Sequence, residues 1–282
     1  MNLNEQSFEV YLAVLVFDQD KKKEVIKMKK LHMAQWTGIL FILGAVLVQI
    51  PFTLLGITFE YPQILRESPG RILTRFHEGG TGLILEWFAF AWVGLPILLG
   101  VVMLQRVLSR GQGQGTTALV KIATVLGVVA LIVQIIGLLR WVFVVPVLAS
   151  IYTSPNTSPA TKEAVEVVFW AVHQFGGVLL GEHLGQLLII CWMALISLTM
   201  FKSGLFKPWL GIFGLVASGV YFTAQAELLE TVIPNFPVIA ISGVAGSLLW
   251  LAWMVLMGIF LVRAENKEVK EVPSKLEYAL GK

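Results

Sequence analysis

The chain has 282 residues, of which 56% are hydrophobic and only 14% are charged, and its formal net charge is +3 at pH 7. A soluble globular protein is typically about 25% charged, and a chain this poor in charge cannot cover the surface of a large soluble fold. The composition therefore excludes a large soluble protein and predicts a membrane protein. We predict the lipid bilayer as its main partner and no nucleic-acid partner. The lone cysteine, Cys191, excludes an internal disulfide.

The N-terminal region differs in composition from the rest of the chain. Its apolar run at 10–17 is too short to span a bilayer, and a lysine-rich segment follows it. We predict that residues 1–35 form a basic cytoplasmic tail, disordered or partly helical, that serves as an inner-face topology signal. Binding of this tail to anionic lipid is the alternative. Met1, Met28 and Met33 are all candidate start residues.

Apolar runs long enough to cross the membrane fill most of the remaining sequence. A span needs about 20 largely apolar residues, and the runs are continuous rather than alternating, which predicts helices and not barrel strands. The fold class is therefore all-α, a polytopic membrane bundle of about six transmembrane helices over 36–262, followed by a tail at 263–282. The predicted spans are 36–58, 81–104, 118–149, 167–200, 208–229 and 237–262.

Basic residues predict the orientation of the bundle. With the N-terminus inside, sixteen of the 21 Lys and Arg residues fall in the tails and inner loops. This asymmetry follows the positive-inside rule. We predict a multi-pass protein of the cytoplasmic (inner) membrane with both termini in the cytoplasm.

The longest outer loop, 59–80, contains a short amphipathic helix. Ser68 and Pro69 are typical of a helix start, Gly79 and Gly80 end the pattern, and Ile72, Leu73 and Phe76 share one face. Such a helix lies along the membrane interface, folds back as a lid, or is a simple connector. The sequence leaves these three alternatives open.

The segment GVLLGEHLGQLLII, 177–190, places polar groups beside a stripe of small residues. At about 100° per residue, Gly177, Gly181 and Gly185 fall within about 80° of one another, which predicts a close-packing face for a neighbouring helix. Glu182 and Gln186 lie on a flank of that stripe, with His183 farther round. Polar side chains at these positions are expected to face the bundle interior.

Ionisable residues of several spans fall at one level near the outer boundary when each helix is measured from its inner end at about 1.5 Å per residue. They predict a polar pocket in which Arg140 pairs with one or more of three glutamates, and His183 is suited to sensing or relaying protons. The alternative is an interhelical ion-pair network with no ligand. The candidate residues for binding a ligand or sensing protons are Arg75, Glu86, Arg140, Glu182, His183, Gln186 and Glu227.

Cofactor motifs are missing from the sequence. A haem needs facing histidines, but His173 and His183 are on one predicted helix, ten residues apart. Zinc has no HExxH-type spacing, so we predict no metal site; His77, His173 and His183 would be its nitrogen ligands if one existed. No phosphate-binding Gly-Lys-Ser/Thr loop or Gly-x-Ser-x-Gly nucleophile motif occurs. We therefore predict no cofactor and assign no catalytic residue.

Four phrases together resemble a known group of proteins: YPQILRESPGRILTRFHEGG, LILEWFAFAWVGLPILL, GLLRWVFVVPVLA and AVEVVFWAVHQFGGVLLGEHLGQL. They resemble a family of uncharacterised bacterial multi-pass membrane proteins near domain of unknown function 4386, over roughly 38–262. The most specific parts are Arg-Glu-Ser-Pro in the loop and Gly-Glu-His-Leu-Gly in the fourth span. The resemblance implies a location in a bacterial membrane and no particular chemistry.

The leading functional prediction is non-enzymatic: the polar cluster binds or senses a small ligand, ion or proton at the extracytoplasmic mouth. A transporter of a small solute is the second alternative, and it would need polar residues in the inner halves of the spans, where Gln134 is the main one. A membrane enzyme acting on lipid headgroups is the third, with Glu182 or Glu86 as general base and His183 as acid. The oligomeric state is left open.

Overall fold

The computed structural model describes residues 33–109 and 113–264, and within those ranges the chain is helical with no β-strand. This confirms the predicted all-α class. Residues 1–32 of the predicted tail 1–35 and residues 265–282 of the predicted tail 263–282 lie outside the described residues, and 33–35 belong to the first helix. A 3₁₀ turn, Gln63–Arg66, lies between the second and third α-helices, and a π-helical segment, His173–Leu184, lies between the seventh and eighth. The α-helices are α1 (Met33–Leu47), α2 (Gln49–Thr58), α3 (Pro69–Trp92), α4 (Leu95–Ser109), α5 (Gln114–Phe143), α6 (Val145–Thr153), α7 (Pro159–Val172), α8 (Gly185–Ser203), α9 (Pro208–Thr223), α10 (Gln225–Glu230) and α11 (Ser242–Arg263).

Six helical stretches in the described part of the chain are long and apolar enough to cross a membrane, which confirms the predicted helical membrane bundle. The last stretch begins at Ser242 rather than at 237, since residues 231–241 form turns and irregular backbone. Spans one to six are Met33–Thr58, Pro69–Ser109, Gln114–Thr153, Pro159–Ser203, Pro208–Glu230 and Ser242–Arg263.

Spans that are adjacent in sequence pack side by side and close into a ring. Helix α1 packs on α4, α4 on α5, α5 on α8, α8 on α9 and α9 on α11, and α11 packs back on α1. Large side chains fill the centre of this ring at the end nearer Met33. The most deeply buried are Phe41, Trp192, Met193, Trp253 and Met257. That half of the bundle is therefore closed by tight apolar packing.

The other end of the bundle, here called the capped end, carries a second apolar core. Helix α3 breaks at Gly80, whose φ of 55° lies in the left-handed region that favours glycine. The break turns the segment 69–79 back onto the bundle, and Ile72, Leu73 and Phe76 become almost fully buried. The amphipathic helix predicted in the outer loop is thus packed on protein and does not present its apolar face to the membrane interface.

A bend in span three brings additional helices to the same core. Helix α5 ends at Phe143 and α6 begins at Val145, with Pro146 in its first turn, where proline cannot continue the hydrogen bonding of the preceding helix. Helices α6 and α7 then pack beside the segment 69–79. Their buried residues, including Leu148 and Phe169, complete the cap.

Candidate functional site

A cavity of about 680 Å³ lies inside the ring at the capped end, and all six spans contribute to its wall. Ile97, Leu131 and Ile189 line it and also belong to the apolar core that closes the opposite half of the bundle. The cavity therefore ends blindly on that core. Its volume falls within the range of about 300–1,000 Å³ that is usual for small-molecule sites.

Charged groups meet at one part of this cavity wall. Nη2 of Arg66 lies 3.1 Å from Oε2 of Glu182 and 3.6 Å from Oε1 of Glu227, and all three residues line the cavity. Arg66 ends the 3₁₀ turn, and the two residues before it, Ile64 and Leu65, are buried and anchor the turn to the cap. The turn thereby holds Arg66 between spans four and five, where it bridges two carboxylates.

The predicted pairing of Arg140 with a glutamate was wrong. Within the described residues, no ion pair joins Arg140 to Glu86, Glu182 or Glu227, because Arg66 occupies the position between the last two. Nη1 of Arg140 instead donates to the carbonyl oxygen of Gly137, one turn earlier on α5. Its guanidinium carbon also lies 5.1 Å from the centre of the Trp141 ring.

Neutral side chains form a second polar network between spans four and five. Nδ1 of His183 lies 2.7 Å from Oε1 of Gln225, and Nε2 of Gln225 donates to Oε1 of Gln186 over 3.1 Å. Gln225 is buried at the junction of α9 and α10. Gln186 lines the cavity, so this network joins His183 to the cavity wall through two amides.

Two other predicted site residues lie in a separate cluster on the cap. Glu86 accepts a hydrogen bond from Oγ1 of Thr58 at 2.7 Å, and Nη2 of Arg75 donates to the Thr58 carbonyl oxygen at 2.9 Å. Arg75 also pairs with Glu60 and Glu78. Neither Glu86 nor Arg75 lines the large cavity. The structure thus brings Arg140, Glu182, Gln186 and Glu227 to one cavity wall. His183 is connected to Gln186 through Gln225.

The π-helical segment changes the geometry expected for span four. Its wider winding means that a projection at 100° per residue does not describe 173–184, because each hydrogen bond closes on the fifth rather than the fourth residue. Gly177, Gly181 and Gly185 nevertheless all face span three: a Cβ on them would approach Arg140, Gly137 and Gln134, respectively. Segments of this kind are rare and occur frequently at functional sites.

The histidines considered as metal ligands have different surroundings in the structure. His173 is buried at 1% exposure and stacks on Phe169 with ring centres 5.5 Å apart, whereas His77 is an exposed residue of the segment 69–79. Over 33–109 and 113–264, no three His, Cys, Asp or Glu side chains form a metal-ligand group.

Sequence reasoning did not select three residues that the fold brings to the site: Arg66, Tyr61 and Gln225. Arg66 and Tyr61 come from the loop 59–68, and only the way that the loop folds over the bundle places them on the cavity wall. Burial raises the pKa of the Tyr61 hydroxyl above its usual range, and the charge of Glu182 acts in the same direction. Tyr61 therefore remains a neutral hydrogen-bonding group at neutral pH. Gln225 could have been selected from the sequence, because it is a polar residue within the predicted apolar span 208–229.

The six apolar helices of the described residues form a ring with a cavity at one end whose wall carries a charged region. They define this protein as a multi-pass integral membrane protein. The family model described as Domain of unknown function (DUF4386) matches residues 36–258, and the chain belongs to that family. This confirms the resemblance drawn from the loop and the fourth span. No curated protein and no solved structure matches the chain.

The bridge made by Arg66 is expected to contribute little to stability, since its side chain is 37% exposed. A double-mutant cycle of Arg66→Gln with Glu182→Gln should give a coupling energy of about 0.2–1 kcal/mol. The matched cycle with Glu86→Gln should give none, because Glu86 is bonded to Thr58. The measurement is the free energy of unfolding in a dodecyl sulfate titration. Equal coupling in both cycles would contradict the assigned pairing.

Proposed function

We propose that this protein binds a small amphipathic molecule in its cavity and does not transform it chemically. The observation that carries the proposal is the shape and lining of the 680 Å³ cavity, which is charged beside Arg66 and apolar along Leu138, Leu251 and Ile189. A molecule with a polar head and an apolar body would satisfy both regions at once, because apolar surface placed against such a wall is removed from water.

The packing below the cavity favours binding over transport. Trp192 and Trp253 are fully buried in the centre of the ring, with their ring centres 5.5 Å apart. A transported solute would have to displace these side chains. Binding from the capped end needs no such movement.

Side-chain contacts also favour binding over catalysis on lipid headgroups. Glu86 is bonded to Thr58 on the cap, and the Nδ1 atom of His183 is engaged by Gln225. A general acid and base must both reach the reacting atoms, and these two residues are not among those that line the cavity. Glu182 lines it, but Arg66 holds its carboxylate.

The remaining alternative is a purely structural ion-pair network with no ligand. Such a network would account for Arg66, Glu182 and Glu227, whose charges compensate one another to within one unit. It does not account for the cavity beside these residues, since openings of this size between closely packed helices are rare. The cavity therefore supports a binding role.

We place the capped end on the extracytoplasmic side of the bacterial cytoplasmic membrane. This assignment follows the distribution of Lys and Arg, sixteen of which fall in the tails or at the opposite end. Residues 36–262 then form the membrane domain, and 1–35 and 263–282 are cytoplasmic tails. The ligand would enter from outside the cell or from the outer leaflet.

The binding proposal is tested by filling the cavity. Gly94 lines the cavity, and a Cβ at this position meets nothing within 4 Å, so Gly94→Leu places an isobutyl group in open space. The probe is dibromostearate added to protein in nanodiscs, because bromine quenches tryptophan fluorescence and Trp250 lines the cavity. We expect saturable quenching in the wild type and an affinity about tenfold lower or worse in Gly94→Leu, a loss of about 1.4 kcal/mol.

Gly219→Leu is the matched control. A Cβ on Gly219 also meets nothing within 4 Å, and this residue of α9 does not line the cavity. It should bind dibromostearate like the wild type. Absence of saturable quenching in the wild type, or equal affinity in all three proteins, would overturn the proposed function.

A further inference from the structure

We infer that the ligand of this cavity carries an anionic headgroup, a carboxylate or a phosphate, and that Arg140 receives it. The inference rests on the proposed function and specifies the chemical class of its ligand. Its basis is that Arg140 is a buried cation on the cavity wall with no acid paired to it in the described part of the chain.

The first step concerns the other charges on the wall. Nη2 of Arg66 lies 3.1 Å from Glu182 and 3.6 Å from Glu227, so the two carboxylates share one cationic partner. These acids lie on spans four and five, whereas Arg140 is on span three. The guanidinium of Arg140 is thus the cation whose hydrogen-bonding capacity the protein leaves open.

The second step concerns the hydrogen bonds of Arg140 itself. A guanidinium has five N–H donors and cannot lose its charge in a protein. One donor is taken by the carbonyl oxygen of Gly137, while the buried Nε atom has no hydrogen-bond partner. The residue is only 8% exposed. Burying a cation without full compensation is costly in any membrane protein, and such residues usually mark a functional site.

The third step is that the backbone of span four leaves room for this guanidinium. A Cβ on Gly177 would lie 2.5 Å from Nη2 and 2.8 Å from Cζ of Arg140. Only glycine at 177 accommodates the present position of the side chain. The ring of Trp141 lies on another side of it, at 5.1 Å from Cζ. The cation is therefore held in place rather than free to reach the membrane surface.

The position of Arg140 suits a head-and-tail ligand. Leu138, Ile135 and Leu131 lie on the same helix toward the closed end of the cavity and line it. An anion bonded to Arg140 would leave its chain along this apolar wall. Carboxylates and phosphates both present paired oxygens that match the two-pronged geometry of a guanidinium and accept charge-assisted hydrogen bonds from it.

The experiment compares three probes that share one brominated chain: dibromostearate, the corresponding alcohol and the corresponding amine. Each is titrated into the wild-type protein in nanodiscs, with tryptophan quenching as the readout. Charge-assisted hydrogen bonds are worth about 1.5–3 kcal/mol, so we expect the carboxylate to bind about tenfold to a hundredfold more tightly than the alcohol. The amine should bind more weakly than either, because it meets the positive charge of Arg140.

Arg140→Gln is expected to remove the preference for the carboxylate over the alcohol while leaving binding of the alcohol. Arg106→Gln is the matched control, since it removes an arginine of α4 that does not line the cavity. If Arg140→Gln does not fold, Arg140→Lys serves instead, and a reduced but persistent preference is expected because the charge remains and the planar fork is lost.

The outcomes separate the two proposals. If the wild type binds none of the probes saturably, the proposed function fails. If it binds all three with equal affinity, or the amine best, the cavity is a binding site and the assignment of an anion to Arg140 is overturned. Where the carboxylate is preferred, a monoalkyl phosphate is compared with inorganic phosphate to identify the source of the anion. Tight binding of the monoalkyl phosphate alone indicates an amphiphile, and binding of both indicates a free anion.

Discussion

Replacing Trp141 by alanine is expected to lower the free energy of unfolding by about 3–5 kcal/mol, the range for truncating a large buried aromatic side chain. Trp141 is fully buried at the centre of the capped end. Its ring lies 4.7 Å from that of Trp87 at 12° and 5.6 Å from that of Phe76 at 26°, so both pairs are stacked. The substitution removes contacts that join spans two and three to the folded-back segment 69–79.

The control for this prediction is Trp209→Ala. Trp209 is 45% exposed at the beginning of α9 and contributes less buried surface. We expect its replacement to cost well below the cost of Trp141→Ala. Both variants are compared with the wild type by circular dichroism during a dodecyl sulfate titration, which does not depend on tryptophan emission. Equal losses would show that the aromatic core of the cap does not hold the bundle together.

Gly137→Val is expected to destabilise the protein by about 3 kcal/mol, at the upper end of the usual cost of overpacking. A Cβ on Gly137 would lie 2.6 Å from the carbonyl oxygen of Gly176 and 2.8 Å from Cα of Gly181. These are backbone atoms, so no rotation of a flexible side chain relieves the clash. Spans three and four would have to separate, and close approach of backbones through small residues is what packs such helices.

Gly219→Val provides a matched test of that reasoning. It makes the same chemical change in a membrane-spanning helix, but a Cβ on Gly219 meets nothing within 4 Å. Its effect should be confined to the modest cost of a β-branched residue in a helix. The readouts are the melting temperature and the fraction of monodisperse protein in mild detergent. A Gly137→Val protein as stable as Gly219→Val would exclude the close contact between spans three and four.

The two predictions concern the structures on either side of the cavity. Trp141 and Gly137 both line it, one from the aromatic cap and the other from the seam between spans three and four. A cavity persists only where the surrounding packing is rigid enough not to collapse into it. We therefore expect loss of either contact to weaken binding of dibromostearate as well as to lower stability.

Part of the candidate site was accessible from the sequence because polar residues in hydrocarbon are costly and therefore informative. Arg140, Glu182, Gln186 and Glu227 were selected on that ground, and all four line the cavity. Arg66 was not, because an arginine in a loop is unremarkable until the loop is folded. Its position between Glu182 and Glu227 depends on contacts between the 3₁₀ turn and the cap, which leave no periodic signal in the sequence.

Composition alone indicates the six apolar helices found within 33–109 and 113–264, since continuous apolar runs of that length are satisfied in a membrane only as helices. Gly79 and Gly80 also indicated the break after the loop helix, because backbone sterics act locally. Three features became visible in the folded chain alone: which charges pair, the π-helical winding of span four over His173–Leu184, and the cavity beneath the cap. These features arise from packing between segments far apart in the chain, and local patterns do not encode such distances.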